Sequence, residues 1–274
     1  MSEFEWLLAY TSAGLNLTDL LLLFMLIFCR WIVMSSLIPF LGAVLLPSLV
    51  RIALAGLLSL VSIMIILPKT KALPSLDIFT VVTLFSKEVL LGFILGFLAS
   101  LIFYAYELVG ELLDFSRAAS MLRLLVPHIK HQSSSMGTLL FQLSLTFFFA
   151  LGLHRPMLEA LLMSFERFPP FSLSLGLSSD SALTIMLSVL GTLFELALRI
   201  SLPVVFVCFL IDMAFGLLNR IAPQINAYFL SLPAKMLGGL TMLLFILPLV
   251  MAEFESHNQK LGAFFKALVV NSRW

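Results

Sequence analysis

Apolar residues dominate six runs, at about 15–38, 43–67, 78–109, 136–153, 183–217 and 225–251, and polar residues gather between them. Each run holds roughly the 20 residues that an α-helix needs to cross a bilayer, the fourth only just. None has the alternating pattern of a barrel strand, so the pattern predicts an all-α, multi-helix membrane protein with almost no strand. The third and fifth runs are long enough that they must tilt, extend beyond the bilayer or break. Pro203 predicts a break in the fifth. Polar stretches at 68–77, 110–135 and 154–182 read as loops, and a tail begins near Glu253. No shift in composition divides the chain, which reads as a single membrane domain over 1–274.

Proline and glycine punctuate these runs. Between Arg30 and Arg51, Pro39, Gly42 and Pro47 predict a helix end and a re-entry. In KEVLLGFILGF, residues 87 to 97, Gly92 and Gly96 lie four apart and Ser100 extends the stripe, so two backbones can approach closely. In VGELLDFSRAASML, residues 109 to 122, Gly110 suits a helix terminus, and Glu111, Asp114 and Arg117 recur every three residues. The stretch 218–239, LNRIAPQINAYFLSLPAKMLGG, sets Pro223 and Pro233 among Asn219, Arg220, Gln224, Asn226 and Lys235. Backbone freed by proline and these polar side chains needs protein or water around it, which predicts a bend buried in protein.

Composition agrees with the pattern. Of 274 residues, 61% are hydrophobic and 11% charged, whereas a soluble domain is nearer half apolar and a quarter charged. The formal net charge of +1 comes from scattered side chains, which excludes a nucleic-acid footprint and a polybasic lipid-binding tail. Lys and Arg fall on both sides of any threading, so the positive-inside rule sets no orientation. A chain covered by partner subunits rather than lipid would behave this way. Glu3 and Glu5, with no Lys or Arg before Arg30, are unlike a signal peptide, so the first helix is expected to stay. Cys29 and Cys208 sit in apolar runs as small core residues. No HExxH, GxSxG, P-loop or GxGxxG string occurs, and His128, His131, His154 and His257 form no ligand constellation. No catalytic residue, metal or cofactor is expected.

Charges within the apolar runs carry the most physical information, because one ionised group at the bilayer centre costs at least about 2.5–3.5 kcal/mol. Glu195 with Arg199, and Lys87 with Glu88, can neutralise each other locally. Arg30, Arg51, Glu107 and Asp212 need partners elsewhere in the chain, in another subunit or in a wet cavity. Structural pairing and a proton or ion pathway are both open readings.

The string NRIAPQINAYFLSLPAK closely resembles the C-terminal signature of the FliR/SctT family, export-gate subunits of flagellar and virulence type III secretion systems. The blocks at 30–54, 87–97 and 109–122 are similar to that family too, as are Gly152, His154, Ser164 and Pro169, so the resemblance covers roughly residues 30 to 245. Ser116 and Ala118 depart from the family's Gln and Gly. The resemblance implies a core subunit of an export gate in the bacterial inner membrane, within a flagellar basal body or an injectisome. It would form a helical pore assembly with FliP/SctR-like and FliQ/SctS-like subunits, beside FlhB/SctU-like and FlhA/SctV-like components and membrane lipid. Unfolded secreted proteins would pass through.

The resemblance further implies that a loop at about Gly110 to Leu122, including Glu111, Leu113, Asp114, Phe115, Arg117 and Met121, closes the pore at rest. Gly92, Gly96, Arg30, Arg51, Asn219, Arg220, Pro223, Gln224, Pro233 and Lys235 are candidate helix or subunit packing positions, and Glu107, Glu195, Arg199 and Asp212 are intramembrane charges. A secondary transporter or ion channel is the alternative, since broken helices and intramembrane charge pairs serve it equally. It predicts inverted repeats, and the two halves show no such similarity. A non-conducting assembly scaffold is a third reading.

Overall fold

Among the described residues, seven α-helices and one 3-10 turn make up the secondary structure, with no strand. The computed structural model describes residues 17–43, 45–67, 77–117, 134–173, 179–224 and 226–270. The helices are α1 (Leu17–Leu37), α2 (Ser48–Ile66), α3 (Ile78–Ser116), α4 (Ser135–Ala150), α5 (His154–Arg167), α6 (Ser179–Ile221) and α7 (Ala227–Val270). Five are long and apolar enough to cross a membrane, and α4 with α5 makes a sixth if the pair is one broken span. Each apolar run is therefore helical, and the chain is an all-α, multi-pass membrane protein.

Several boundaries differ from the sequence reading. α3 does not end near 109 but runs to Ser116, and its 39 residues cover about 58 Å at 1.5 Å per residue. Gly110 is thus inside the helix rather than at its terminus. The expected loop beginning at 154 is instead α5, whose Met157, Ala160, Leu161, Ser164 and Phe165 are buried at helical spacing. The expected tail from Glu253 continues α7. Pro203 lies inside α6 and Pro233 inside α7, and neither breaks its helix. An apolar helix tolerates the lost backbone hydrogen bond through neighbouring groups and local adjustment. Pro223 does fall between helices, in the turn that separates α6 from α7. The stretch 68–76 lies outside the described residues.

The predicted end and re-entry near Gly42 is present. α1 stops at Leu37, Pro39–Leu41 forms the 3-10 turn, and Gly42 closes it at φ +94° with its N–H on the Pro39 carbonyl. That left-handed conformation favours glycine. Arg51 of α2 reaches back to the Ala43 carbonyl at 3.2 Å.

The chain divides into two compact units, one from Met1–Ser100, Leu153–Met186 and Lys260–Trp274, the other from Leu101–Gly152 and Leu187–Gln259. In the first, α1 packs on α2 and on the early part of α3. A Cβ on Gly92 would crowd the Arg30 carbonyl at 2.9 Å, and one on Gly96 would crowd Met34 and Leu37, so the small residues permit the close approach that their spacing predicts. Trp31 fills the centre of the unit, donating to Ser62 Oγ at 2.8 Å and lying 5.8 Å from the Phe165 ring.

Charge is buried beside that core. Arg30 and Glu88 are both wholly inaccessible. Arg30 grips the carboxylate with Nε and Nη2 at 2.5 and 2.9 Å, and its other donors reach the Ser164 and Phe168 carbonyls. Lys87 adds a 3.1 Å contact to Glu88 and donates to the carbonyls of Pro169, Pro170 and Ser172 at 2.8–3.0 Å. Arg30 thus finds its partner within the chain, and Glu88 is neutralised by two cations, not by Lys87 alone. In the second unit, Phe103 meets Phe148 edge-on at 5.2 Å and Tyr106 meets Phe254 likewise. The Tyr106 hydroxyl donates to the Val250 carbonyl at 3.3 Å.

Removing the carboxylate from this network should leave two buried cations without a counter-charge. We expect Glu88→Ala to destabilise the protein by about 3–5 kcal/mol, read as a lower thermal unfolding midpoint in detergent. Ser86→Ala, on the exposed side of the same helix, should leave the midpoint unchanged.

Candidate functional site

The last two turns of α3 bury one face. Val109, Gly110, Leu113, Asp114 and Arg117 are buried, whereas Glu111 and Phe115 are exposed. Positions 110, 113, 114 and 117 share a side of the helix because they differ by three, four or seven residues. A Cβ on Gly110 would overlap the backbone of Met136 and Gly137, so α3 and α4 touch backbone to backbone there.

Asp114 joins the two helices. Its Oδ1 accepts from Arg117 Nη2 at 2.5 Å, and its Oδ2 accepts from Ser134 Oγ at 2.6 Å and from the Met136 N–H at 3.1 Å. Ser134 is the N-cap of α4 and accepts from the Gly137 N–H at 2.9 Å. The carboxylate therefore sits at a helix N-terminus, where unpaired N–H groups and the helix dipole favour a negative charge. Three charge-assisted hydrogen bonds to one buried carboxylate make this a clasp rather than a surface ion pair.

A second ion pair lies nearby. The aliphatic stem of Arg117 lies over Gly239 of α7, where a Cβ would collide with its Cγ and Cδ. One turn earlier on α7, buried Lys235 donates to Asp212 of α6 at 2.8 Å. Buried Cys208 of α6 lies within the field of Lys235, Arg117 and Asp212. Two oppositely charged pairs from α3, α6 and α7 thus share one apolar neighbourhood.

The remaining expected positions are dispersed. Asp212 finds its partner in Lys235, as an isolated intramembrane acid requires. Arg199 does not pair with Glu195; it crosses to Glu253 of α7 at 2.9 Å. The physical reason is shielding: the Glu253 side chain is only 14% exposed, so its charge is less screened than that of exposed Glu195. Among the described residues, the Glu107 and Glu195 carboxylates have no ion pair or hydrogen-bond partner. Asn219, Arg220, Pro223, Gln224, Asn226 and Pro233 are exposed, so the bend is not buried within this chain; of the polar and proline residues singled out there, only Lys235 is buried. They lie in the last turn of α6, in the turn between the helices and in the first two turns of α7. Met121 lies outside the described residues, as do His128 and His131.

Three contributors to the clasp, Ser134, Gly137 and Gly239, are not among the candidate site residues named from sequence, although the resemblance takes in Ser133 to Ser135 and Gly137. Ser134 and Gly137 carry a readable signal, an N-cap serine and a small residue just before an apolar run. Gly239 had only its place beside Gly238 in an otherwise bulky helix. No group of three or more metal-ligating side chains occurs among the described residues.

The sequence profile of the family described as bacterial export proteins, family 1, matches residues 21–261. The Yop proteins translocation protein T of Yersinia pestis is 32% identical over 58% of this chain and 60% of its own length, so the matching region spans well under two thirds of that relative. The secretion system apparatus protein SsaT of Salmonella typhimurium is 32% identical over 67% of this chain and 70% of its own. The flagellar biosynthetic protein FliR of Bacillus subtilis is 27% identical over 84% and 87%.

The clasp predicts different outcomes for neighbouring positions. Gly110→Ala meets backbone that cannot swing aside, and Asp114→Ala strands a buried arginine at a cost of about 3 kcal/mol or more. Both should reduce the monodisperse fraction on size-exclusion chromatography in detergent. Glu111→Ala, on the exposed side of the same turn, should elute as the parent does.

Proposed function

The chain belongs to the bacterial export proteins, family 1, the FliR/SctT family, and from that premise we propose that it is a core subunit of a type III protein export gate. In this reading it joins FliP/SctR-like and FliQ/SctS-like membrane subunits in a pore for unfolded proteins, with FlhB/SctU-like and FlhA/SctV-like components alongside. The observation that carries the reading is incomplete burial. Only 22% of the α6 span and 28% of the α7 span is buried within the chain. Phe206, Phe209, Phe229 and Phe245 stand exposed there, in company with the exposed carboxylate of Glu195, which has no ion pair among the described residues. Lipid would accept the aromatic rings but not the carboxylate, whereas neighbouring subunits can satisfy both.

The closing element of the pore is assigned to the stretch that follows the clasp. Gly110, Leu113, Asp114 and Arg117 are committed to packing and ion pairing, which leaves Glu111 and Phe115 as the exposed residues of that turn, with Met121 beyond it. Asp114 bonds to both Arg117 and Ser134, the residues that flank positions 118–133. Both ends of that stretch are thereby anchored to one carboxylate.

Removing residues 118–122 tests the assignment without touching the clasp. When the chain is coexpressed with its two small membrane partners, the shortened protein should still copurify with them. Entry of ions or a small hydrophilic dye across the inner membrane should rise. An intact complex that leaks no more than the parent would end the closing role. A homogeneous particle of this chain alone would end the gate reading itself.

A further inference from the structure

We propose that Arg51, in the first turn of α2, binds the phosphate of an anionic phospholipid headgroup and so anchors the hairpin of α1 and α2 at one face of the membrane. Neither the pore nor its partner subunits enter this assignment, which needs only that α1 and α2 cross a bilayer. Arg51 is partly buried and has no ion pair among the described residues. Its Nη1 donates to the Ala43 carbonyl at 3.2 Å, whereas its Nε is shut off from solvent without an acceptor. The first turn of α2 holds no acid, and its N-cap is Pro47, which offers no side-chain acceptor. Arg30, Arg117 and Arg199 each meet a carboxylate within the chain. Arg51 carries the same permanent charge with nothing among the described residues to neutralise it.

The surroundings identify the anion. α1 has 21 residues and α2 has 19, lengths of about 31 and 28 Å at 1.5 Å per residue, so each matches a hydrocarbon core of about 30 Å. The turn that joins them therefore falls at an interface, the level at which lipid phosphates lie. Arg51 is the fourth residue of α2, close enough to that level for a long cationic side chain to reach it. Leu46, Leu49, Val50 and Ile52 are exposed around it, an apolar surface for acyl chains directly beside the charge. No other residue of α2 is charged, and only 28% of its span is buried within the chain. This face differs from that of α6, where exposed Glu195 calls for a protein neighbour. Lipid accepts everything α2 presents once the arginine is neutralised. A phosphate offers paired oxygens that match the guanidinium fork, and Nε with Nη2 is the edge left over after Nη1 has bound Ala43. One hydrogen bond tethers the side chain among the described residues, so a small rotation brings that edge to the phosphate.

The test uses the full chain in mild detergent, with phosphatidylglycerol and phosphatidylcholine as competing probes. Native mass spectrometry of the parent should show phosphatidylglycerol retained severalfold more than phosphatidylcholine, and only phosphatidylglycerol should raise the thermal unfolding midpoint. Arg51→Gln should abolish both the preference and the shift. Arg51→Lys keeps the charge without the fork and should retain phosphatidylglycerol at an intermediate level, which also serves if the glutamine variant fails to fold. Arg155→Gln removes the same charge from the exposed start of α5 and should behave as the parent does. Equal retention of the two lipids by the parent, or an equal loss in Arg155→Gln and Arg51→Gln, would overturn the assignment. Displacement of the lipid by inorganic phosphate at matched concentration would overturn it too, since the site would then take the bare anion. If Arg51→Gln releases the chain from its coexpressed membrane partners while phosphatidylglycerol stays bound, a carboxylate of a neighbouring subunit holds the arginine and the lipid assignment falls.

Discussion

The buried network of Arg30, Glu88 and Lys87 is the constraint on which the first unit depends. Two cations and one carboxylate cannot be held at membrane depth by charge alone, since the pairing leaves one positive charge and several donors unspent. Five backbone oxygens, from Ser164, Phe168, Pro169, Pro170 and Ser172, take those donors. α1, α3 and the turn after α5 are therefore tied by polar bonds inside an apolar shell, with the Arg30 guanidinium also stacked 4.2 Å from the Phe165 ring centre. Non-directional apolar contacts fill the space around this network, and the charges determine which arrangement they fill.

The second unit follows the same rule with a different economy of parts. Asp114 uses a helix N-terminus where Glu88 uses a lysine, and a glycine pair at 110 and 137 brings the two backbones close enough for the carboxylate to reach across. The excess of exposed apolar surface on α6 and α7 marks the limit of what one chain can bury. The assembly proposed for it and the acids Glu107 and Glu195, whose side chains have no ion pair among the described residues, belong together, because other subunits would supply neighbours for both.

Helix content, close packing at Gly92 and Gly96 and the re-entry at Gly42 were legible in the sequence because each depends on local pattern. The ends of α3, α5 and α7 were not, since polar residues near 110, 154 and 253 look like loop until tertiary partners take up their charges. The Glu195 and Arg199 spacing was misleading for the same reason. A pair four residues apart contributes only a few tenths of a kcal/mol on a helix, and the more shielded Glu253 outcompetes it. In the clasp, Asp114 and Arg117 stood out as charges. Gly239 did not, because a notch is defined by the side chain that fills it.

The lysine cage has a consequence for how this protein can vary. Lys87 recognises Pro169, Pro170 and Ser172 through main-chain oxygens, across as many as 85 positions of sequence. Main-chain oxygens are present whatever residue occupies a site, so the identities of those turn residues are constrained by the path they trace more than by the groups they carry. The heritable instruction for the shape of that turn is thus written largely at residues 30 and 87. Arginine at 30 is not exchangeable for lysine, because its planar fork serves a carboxylate and two carbonyls at once. Diverged relatives could rewrite the turn and keep its geometry, provided these two cations stayed in place.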